Sequence, residues 1–110
     1  MMNQLESKVK DYFNFWEQKD IVQLSKLLDS EIVLKDWDNF VVGKQAVTKF
    51  NLDFFDSVNL LSLDILSIFF EENTSFTELV ITIDKTQFTV LDKIVFNKKG
   101  FITNIRAYKG

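Results

Sequence analysis

Four candidate strands fill the second half of this 110-residue chain and constrain its fold more than any other feature. From Asn59 onward they cover residues 60–71, 75–84, 86–97 and 101–108. Short turns separate them, at Glu72-Asn73-Thr74, Asp84-Lys85 and Asn97-Lys98-Lys99-Gly100. Gly100 stands where such a hairpin loop needs a positive φ. The pattern predicts an antiparallel meander, whose sheet is too long to remain uncovered on both faces.

The first half of the chain carries three candidate helices that can cover this sheet. Residues 3–19 place five apolar side chains on one helical face: Leu5, Val9, Tyr12, Phe13 and Trp16. Asp20 is a suitable N-cap for a short second helix, Ile21 to Leu28. Gly43 opens a third helix, whose apolar face holds Val47, Phe50, Phe54 and Phe55 or Val58. Before it, a two-residue period from Glu31 to Asp36 and the segment Phe40-Val41-Val42 predict short strands around a Trp37-Asp38-Asn39 turn.

These elements together predict an α+β fold, with residues 1–110 forming a single domain. A curved antiparallel sheet is expected to wrap around a long N-terminal helix and two shorter helices. Such a sheet encloses a cone-shaped cavity between its concave face and the first helix. A ligand site in this chain is therefore expected inside the cone.

The composition excludes most catalytic chemistries. The chain has no Cys and no His, which removes thiolate nucleophiles, the Ser-His-Asp arrangement and nearly all transition-metal sites. We therefore expect no metal and no cofactor. Any catalysis must use Asp, Glu, Tyr, Lys or the single Arg.

Charge and hydropathy exclude two further classes of partner. The net charge of −3 argues against a nucleic-acid partner. No uninterrupted apolar run exceeds three residues, so the sequence predicts neither a membrane span nor a signal peptide. We expect a cytoplasmic protein.

Two acidic residues interrupt apolar strand faces. In the strand over residues 86–97, Asp92 shares its face with four apolar residues, Phe88, Val90, Ile94 and Phe96. In the first strand, Asp36 has the parity of Ile32 and Leu34 and ends their row. Tyr12 lies on the apolar face of the first helix. The three polar side chains are predicted to point into one cavity.

Different degrees of burial would give the two acids different roles. An ionised carboxylate in apolar surroundings takes up a proton, so mid-strand Asp92 is predicted to donate a hydrogen bond, beside Tyr12, to a developing oxyanion. Asp36, at a strand end, is predicted to be the ionised base. The alternatives are structural: Asp36 caps the following turn, Asp92 pairs with Arg106 or with a lysine from a second subunit, and Tyr12 belongs to the core.

Several short motifs follow one another along the chain. They are Tyr12-Phe13-x-x-Trp16-x-x-x-Asp20, Leu27-Leu28-Asp29 leading to Asp36, Gly43-Lys44-Gln45-Ala46-Val47, and Leu91-Asp92-Lys93-Ile94-Val95-Phe96 through Gly100 to Ile105-Arg106-Ala107-Tyr108. In this order they resemble the SnoaL-like and ketosteroid-isomerase-like members of the nuclear transport factor 2 superfamily. The resemblance covers essentially the whole chain and bears more on fold than on function.

The resemblance implies a cofactor-free enzyme that abstracts a proton α to a carbonyl of a small apolar ligand, as in bacterial ketosteroid isomerase. It assigns the general base to Asp36 and the oxyanion donors to Tyr12 and neutral Asp92. The expected ligand contacts are Trp37, Phe54, Phe88 and Trp16. A SnoaL-like cyclisation stays open. Limonene-type epoxide hydrolysis would need Arg106 with the two acids, and a scytalone-dehydratase-like mechanism would need His.

A non-catalytic module of the same fold is the alternative. The 12 Phe residues can fill the cone, leaving a protein that binds an apolar ligand or only holds a dimer together. The outer sheet face is expected to carry Leu61, Leu63, Ile65, Phe69, Leu79, Ile81 and Ile83. A face so rich in apolar residues predicts a homodimer that covers it.

Overall fold

The computed structural model describes residues 4–110 as three helices and six strands. Their order is α1 (Gln4–Glu17), α2 (Ile21–Ser25), β1 (Leu28–Lys35), β2 (Phe40–Val42), α3 (Lys44–Ser57), β3 (Leu61–Glu71), β4 (Thr74–Ile83), β5 (Thr86–Phe96) and β6 (Ile102–Lys109). The predicted start of the first helix, at residue 3, lies outside the described residues. Leu28 begins β1 instead of ending α2, because the Ile102 N–H donates to the Leu27 carbonyl at 2.8 Å and draws this segment into the sheet.

The six strands form one sheet in the order β2-β1-β6-β5-β4-β3. Four neighbouring pairs are antiparallel, as predicted, but β1 pairs parallel with β6, through contacts such as Leu34 with Ile105. The sheet is therefore mixed, where the sequence predicted an antiparallel one. Pairing with β1 covers the edge of β6 that the meander leaves open, and it joins the first strand of the chain to the last.

Irregular pairing bends the sheet around the helices. Ile65 and Ser67 of β3 pair with the consecutive β4 residues Leu79 and Glu78, so Leu66 is an extra residue in β3. The register also shifts between β5 and β6, between Val95 and Phe96. Such bulges increase the local twist and bend a strand. The predicted α+β fold, a curved sheet wrapped around helices, is confirmed.

The helices cover the concave face and complete the core. α1 buries Val9, Tyr12 and Phe13, which belong to its predicted apolar face, and α3 buries Val47 and Phe55. The Lys8 ammonium donates to the Gly100 carbonyl at 2.9 Å and fastens α1 to the β5–β6 turn. Gly100 has a φ of +87°, as the hairpin prediction required. One side of the sheet is thus packed, and the other remains convex and open.

The predicted apolar outer face is wrong for most of its members. Leu61 and Leu79 are buried, and Leu79, Ile81 and Ile83 line the interior of the cone. Leu63 and Ile65 pair with Ile81 and Leu79, so the first half of β3 also places these side chains on the concave side. The extra residue Leu66 then reverses the parity of β3. Among the seven predicted residues, Phe69 alone therefore faces outward, with 66% of its surface exposed.

Candidate functional site

A cavity of about 250 Å³ lies between the concave sheet face, α1 and α3. Its walls are mainly apolar side chains of the strands, including Leu34, Leu79, Ile81, Val90 and Ile105. Seven residues with polar side chains also line it: Tyr12, Lys35, Asp36, Asp38, Asn39, Asn51 and Asp92. Phenylalanines line the cone without filling it. An apolar cavity with a few convergent polar groups is typical of a small-molecule site.

Asp92 lies in the middle of β5 and faces the cavity, as its strand parity predicted. Burial raises the pKa of its carboxyl to about 7, and the negative charge of Asp36 contributes a smaller part of the rise. Within residues 4–110, no group forms a hydrogen bond with this carboxyl. Below about pH 7 Asp92 is therefore a neutral acid that can donate a hydrogen bond into the cavity.

Tyr12 enters the same cavity from α1, and only 3% of its surface is exposed. Burial raises the pKa of its phenol well above the ordinary range, and the charge of Asp92 adds to the effect. Its ring meets Phe13 edge-on, with the ring centroids 5.2 Å apart. Tyr12 thus stays protonated, and its packed ring directs one O–H donor into the cavity.

Asp36 follows β1 directly, where it caps the next turn and also lines the cavity. Its Oδ1 accepts hydrogen bonds from the backbone N–H groups of Asp38 at 2.8 Å and Asn39 at 2.7 Å, so it does cap the turn. The Asn39 side chain donates to Oδ1 at 3.0 Å and to Oδ2 at 3.2 Å. The carboxylate also lines the cavity. Because Oδ2 accepts one hydrogen bond and Oδ1 accepts three, Oδ2 retains capacity to take a proton.

The four predicted ligand contacts all line this cavity, in two aromatic pairs. Trp16 stacks on Phe54 with ring centroids 5.3 Å apart, and the Trp16 indole N–H donates to Asn51 at 3.2 Å. Trp37 meets Phe88 edge-on at 6.0 Å, next to Asp36 in the chain. The Trp16 pair forms an inner wall on the helices, and the Trp37 pair forms the rim.

Sequence reasoning missed Asn51 and Lys109. Asn51 is buried in α3, donates to the Val47 carbonyl at 3.1 Å and lines the cavity. Lys109 places its ammonium 5.6 Å from the ring centroid of Trp37 and 5.3 Å from that of Phe88. The periodicity that identified Asp92 could have found both, since Asn51 follows Val47 by one helical turn and Lys109 has the parity of inward-facing Ala107.

Arg106 lies on the convex side of the sheet, away from the acids. Its guanidinium lies 5.1 Å from the ring centroid of Tyr108, and it lines an outer groove with Lys93 and Lys35. The alternative in which Asp92 pairs with Arg106 is therefore wrong. The same placement removes the arginine that limonene-type epoxide hydrolysis would require.

Over residues 4–110, no group of three or more acidic side chains is arranged to hold a metal ion. No helix in that range combines the length and apolar composition that a membrane crossing needs.

Comparison with known proteins identifies the fold. No protein-family model and no curated protein matches the sequence. A nuclear transport factor 2-like protein of unknown function from Cytophaga hutchinsonii ATCC 33406 is similar with a TM-score of 0.85 and 12% identity, over 100% of this chain and 93% of its own.

Two further structures are similar to the whole chain. One is a provisionally assigned ketosteroid isomerase from Kribbella flavida DSM 17836, with a TM-score of 0.87 and 10% identity over 97% of this chain and 78% of its own. The other is a provisionally assigned SnoaL-like polyketide cyclase from Shewanella denitrificans OS-217, with a TM-score of 0.87 and 13% identity over 99% and 92%. The chain thus has the nuclear transport factor 2-like fold. At sequence identities this low, structural similarity supports the assignment of the fold but not of an activity.

Proposed function

We propose that this chain, with its nuclear transport factor 2-like fold, is a cofactor-free enzyme that abstracts a proton α to the carbonyl of a small apolar ligand. One observation carries the proposal: the Tyr12 hydroxyl and the Asp92 carboxyl enter the same apolar cavity as the Asp36 carboxylate. Burial favours the neutral, donating form of the first two groups. Two donors and one base in a dry site match the needs of enolate chemistry.

The reaction proceeds in two proton transfers through Asp36. Its Oδ2 takes a proton from the carbon next to the carbonyl, and the electron pair of the broken C–H bond moves into an enolate. The enolate oxygen accepts hydrogen bonds from the Tyr12 hydroxyl and the Asp92 acid. Asp36 then returns the proton to another carbon of the conjugated system. An isomerisation of this kind consumes no second substrate, and a ring-closing attack by the enolate is the cyclase variant.

The size of the cavity limits the ligand. A volume of about 250 Å³ is below the roughly 300–1,000 Å³ of sites for drug-sized molecules. Trp16, Trp37, Phe54 and Phe88 offer flat surfaces to a conjugated ring. We therefore expect a ketone of one or two rings to fit better than a large fused-ring ligand.

The test uses a small β,γ-unsaturated cyclic ketone as substrate and a series of phenols as enolate mimics. The wild type is expected to isomerise the ketone and bind the phenols. Asp36→Asn should lose turnover and retain phenol binding, whereas Asp92→Ala should weaken phenol binding. Asp64→Asn, on an exposed residue of β3 outside the cavity, is the matched control. No turnover by the wild type, with phenol binding unaffected by both changes, would refute the proposal.

A non-catalytic ligand-binding module is the second candidate, and one observation favours it. The Asp36 carboxylate accepts four hydrogen bonds from its own turn, which gives it a structural role that needs no catalysis. In that case the wild type binds phenols but does not isomerise ketones. Asp36→Asn would then change stability alone, so the same two assays separate the candidates.

A homodimer through the convex sheet face completes the proposal. Phe69 and Phe40 are each 66% exposed and lie at the two ends of one cross-strand row, in which Phe76 is next to Phe69 and the cations Lys93, Arg106 and Lys35 lie between Phe76 and Phe40. Side chains exposed to this extent on one face favour a covering partner, and a second copy is the simplest one. Sedimentation at micromolar concentration should show a dimer that Phe69→Ser dissociates. Val22→Ser, an equally exposed position on α2, should leave it intact, and a monomeric wild type would contradict the dimer.

Two broader expectations stay predictions. The first is that residues 1–110 form a single domain, which limited proteolysis of the purified protein would test. The second is a cytoplasmic location, which cell fractionation with a tagged chain would test. Neither affects the assignment of roles within the cavity.

A further inference from the structure

Within the sheet, Asp92 has a single polar neighbour on the concave face. Along β5 the side chains on the same face are Val90 and Ile94, both buried. Across the sheet, Asp92 pairs with Ala107 of β6 on one side and with Thr77 of β4 on the other. Thr77 therefore offers the one hydroxyl among the four side chains that surround Asp92 within the sheet.

The Thr77 hydroxyl is itself unpaired. Thr77 is 0% exposed, and its Oγ1 has no hydrogen-bond partner within the described chain. A buried hydroxyl without a partner is costly, because it gives up its bonds to water and receives nothing in return. The carboxyl directly across the strand pair also has no hydrogen-bond partner in residues 4–110, although Asp92 is half-buried and lines the cavity. Two polar groups without hydrogen-bond partners thus lie opposite each other on the concave face, one in the core and one on the cavity wall.

Their separation suits a hydrogen bond. Side chains directly opposite one another on antiparallel strands have Cβ atoms about 4.5–5.5 Å apart, so a rotation about the Thr77 side chain can bring Oγ1 to a carboxyl oxygen. The other unpaired hydroxyl, Ser75, is opposite Ile94 and two residues along β4. At a rise of about 3.3 Å per residue it is roughly 6.6 Å from Thr77. Asp92 is therefore the partner within direct reach.

We infer that Thr77 is a positioning residue, whose hydroxyl donates to one oxygen of the Asp92 carboxyl and thereby turns the other oxygen toward the ligand. In the neutral acid, the carbonyl oxygen accepts from Thr77 and the O–H remains free for the cavity. In the ionised form, the same hydroxyl stabilises the negative charge. The catalytic consequence rests on the proposed function, whereas the hydrogen bond itself does not.

Other groups also act on Asp92, and they come from different elements. Tyr12 faces it from α1 and Asp36 faces it from the end of β1. Lys35 and Asp38 are exposed residues on the lining of the same cavity. None of these belongs to β4, so a substitution on β4 can test the Thr77 contact without removing a charge.

The experiment compares Thr77→Val, which keeps the shape and removes the donor, with Thr77→Ser, which keeps the donor. Ser75→Ala removes the neighbouring unpaired hydroxyl and serves as the control. The carboxyl of Asp92, assigned by its loss in Asp92→Asn, is titrated by carbon NMR without any ligand. Thr77→Val should raise its pKa by about half a unit or more, because a donor to the charged form is lost. Thr77→Ser and Ser75→Ala should titrate like the wild type.

A second measurement needs no variant of Thr77. In the wild type, the Thr77 methyl resonance should titrate with the midpoint of Asp92, and this titration should vanish in Asp92→Asn.

Phenol binding should weaken about tenfold in Thr77→Val and recover in Thr77→Ser. An unchanged Asp92 titration in Thr77→Val, an equal shift in Ser75→Ala, or a higher melting temperature in Thr77→Val would overturn the inference. Failure of ketone turnover would refute the proposed function and leave these NMR results untouched.

Discussion

Asp92 and Lys93 are consecutive residues of β5, yet they belong to two chemically different regions. Asp92 faces the apolar cavity of the concave side, whereas Lys93 forms a cross-strand row with Arg106 and Lys35 on the convex side. Within residues 4–110, the ion pairs are Lys10 with Glu6 and Lys49 with Asp53, both inside helices. Asp92 therefore forms no ion pair within these residues. The cationic row and Asp92 lie on opposite faces of the same sheet. Burial on the concave face therefore has the main effect on the pKa of Asp92.

The largest effect that can test this contrast is expected from Asp36→Asn. Loss of the base should lower ketone isomerisation by about 10²–10⁴-fold, the usual contribution of general-base catalysis. Asp64→Asn removes an exposed carboxylate of β3 and should leave the rate unchanged. Steady-state kinetics of the two purified variants measure the difference. Equal rates for Asp36→Asn and Asp64→Asn would remove the functional distinction between cavity and surface acids.

The next effect is a difference in the pH dependence of stability between Asp92→Asn and Lys93→Gln. The pKa of Asp92 rises from its ordinary value near 4 to about 7 on folding. Between these pH values the folded state binds more protons than the unfolded state, so wild-type stability falls as the pH rises. At roughly 1.4 kcal/mol per pKa unit, the loss reaches up to about 4 kcal/mol.

Urea unfolding at pH 4, 6 and 8 measures this difference. Asp92→Asn should gain stability relative to the wild type as the pH rises from about 4 to about 7, because the amide cannot ionise. Lys93→Gln should retain the wild-type slope. The same fall in stability with pH for Asp92→Asn as for the wild type would show that another group causes it.

A smaller effect should separate the two tyrosines of the chain. Tyr12→Phe removes a hydroxyl that points into the cavity, whereas Tyr108→Phe removes one from the convex face, where 46% of the residue is exposed. A hydrogen bond to a charged group contributes about 1.5–3 kcal/mol, so phenolate binding should weaken by roughly ten- to a hundred-fold in Tyr12→Phe. Calorimetric titration should show no change in Tyr108→Phe. Equal affinities would contradict a donor role for Tyr12.

The smallest effect concerns the two cation–aromatic contacts. Lys109 lies over Trp37 and Phe88 at the rim of the cavity, and Arg106 lies over Tyr108 outside. Such exposed contacts contribute about 0.5–1 kcal/mol, so Lys109→Met and Arg106→Met should reduce stability by similar amounts. Only Lys109→Met should also alter Trp37 fluorescence and weaken ligand binding, by roughly two- to five-fold. A matching loss of binding in Arg106→Met would show that the two sites are not independent.

The parts of the fold that the sequence predicted depend on local periodicity. The helical stripe of α1 and the alternation along β5 predicted that Tyr12 and Asp92 face the cavity. Both residues line it in the structure. Each residue's orientation there follows from neighbours two to four positions away. The acids and the aromatic lining could therefore be predicted before their spatial arrangement was known.

The parts that the sequence did not predict depend on non-local pairing. The parallel contact of β1 with β6 joins segments about seventy residues apart, and no local pattern encodes it. The bulge at Leu66 changes the parity of β3 by one residue. Unbroken alternation along β3 therefore predicted Leu61 and Leu63 on the outer face with Phe69, whereas they lie on the concave face. The Thr77 hydroxyl carries no sequence signal of its own, because its importance arises only from the register that puts it opposite Asp92.

The parallel pairing of β1 with β6 also sets when the site can form. Asp36 directly follows β1 and Asp92 lies on β5, and the strand that holds β1 beside β5 is β6, the last strand of the chain. Contacts between distant segments form slowly, because the intervening loop must lose entropy before they give any stabilisation. During synthesis, a ribosome-bound chain that lacks β6 has no strand to hold Asp36 beside Asp92. Assembly of the cavity is therefore tied to the completion of the sheet, because a chain shortened before Ile102 lacks the strand that joins β1 to β5.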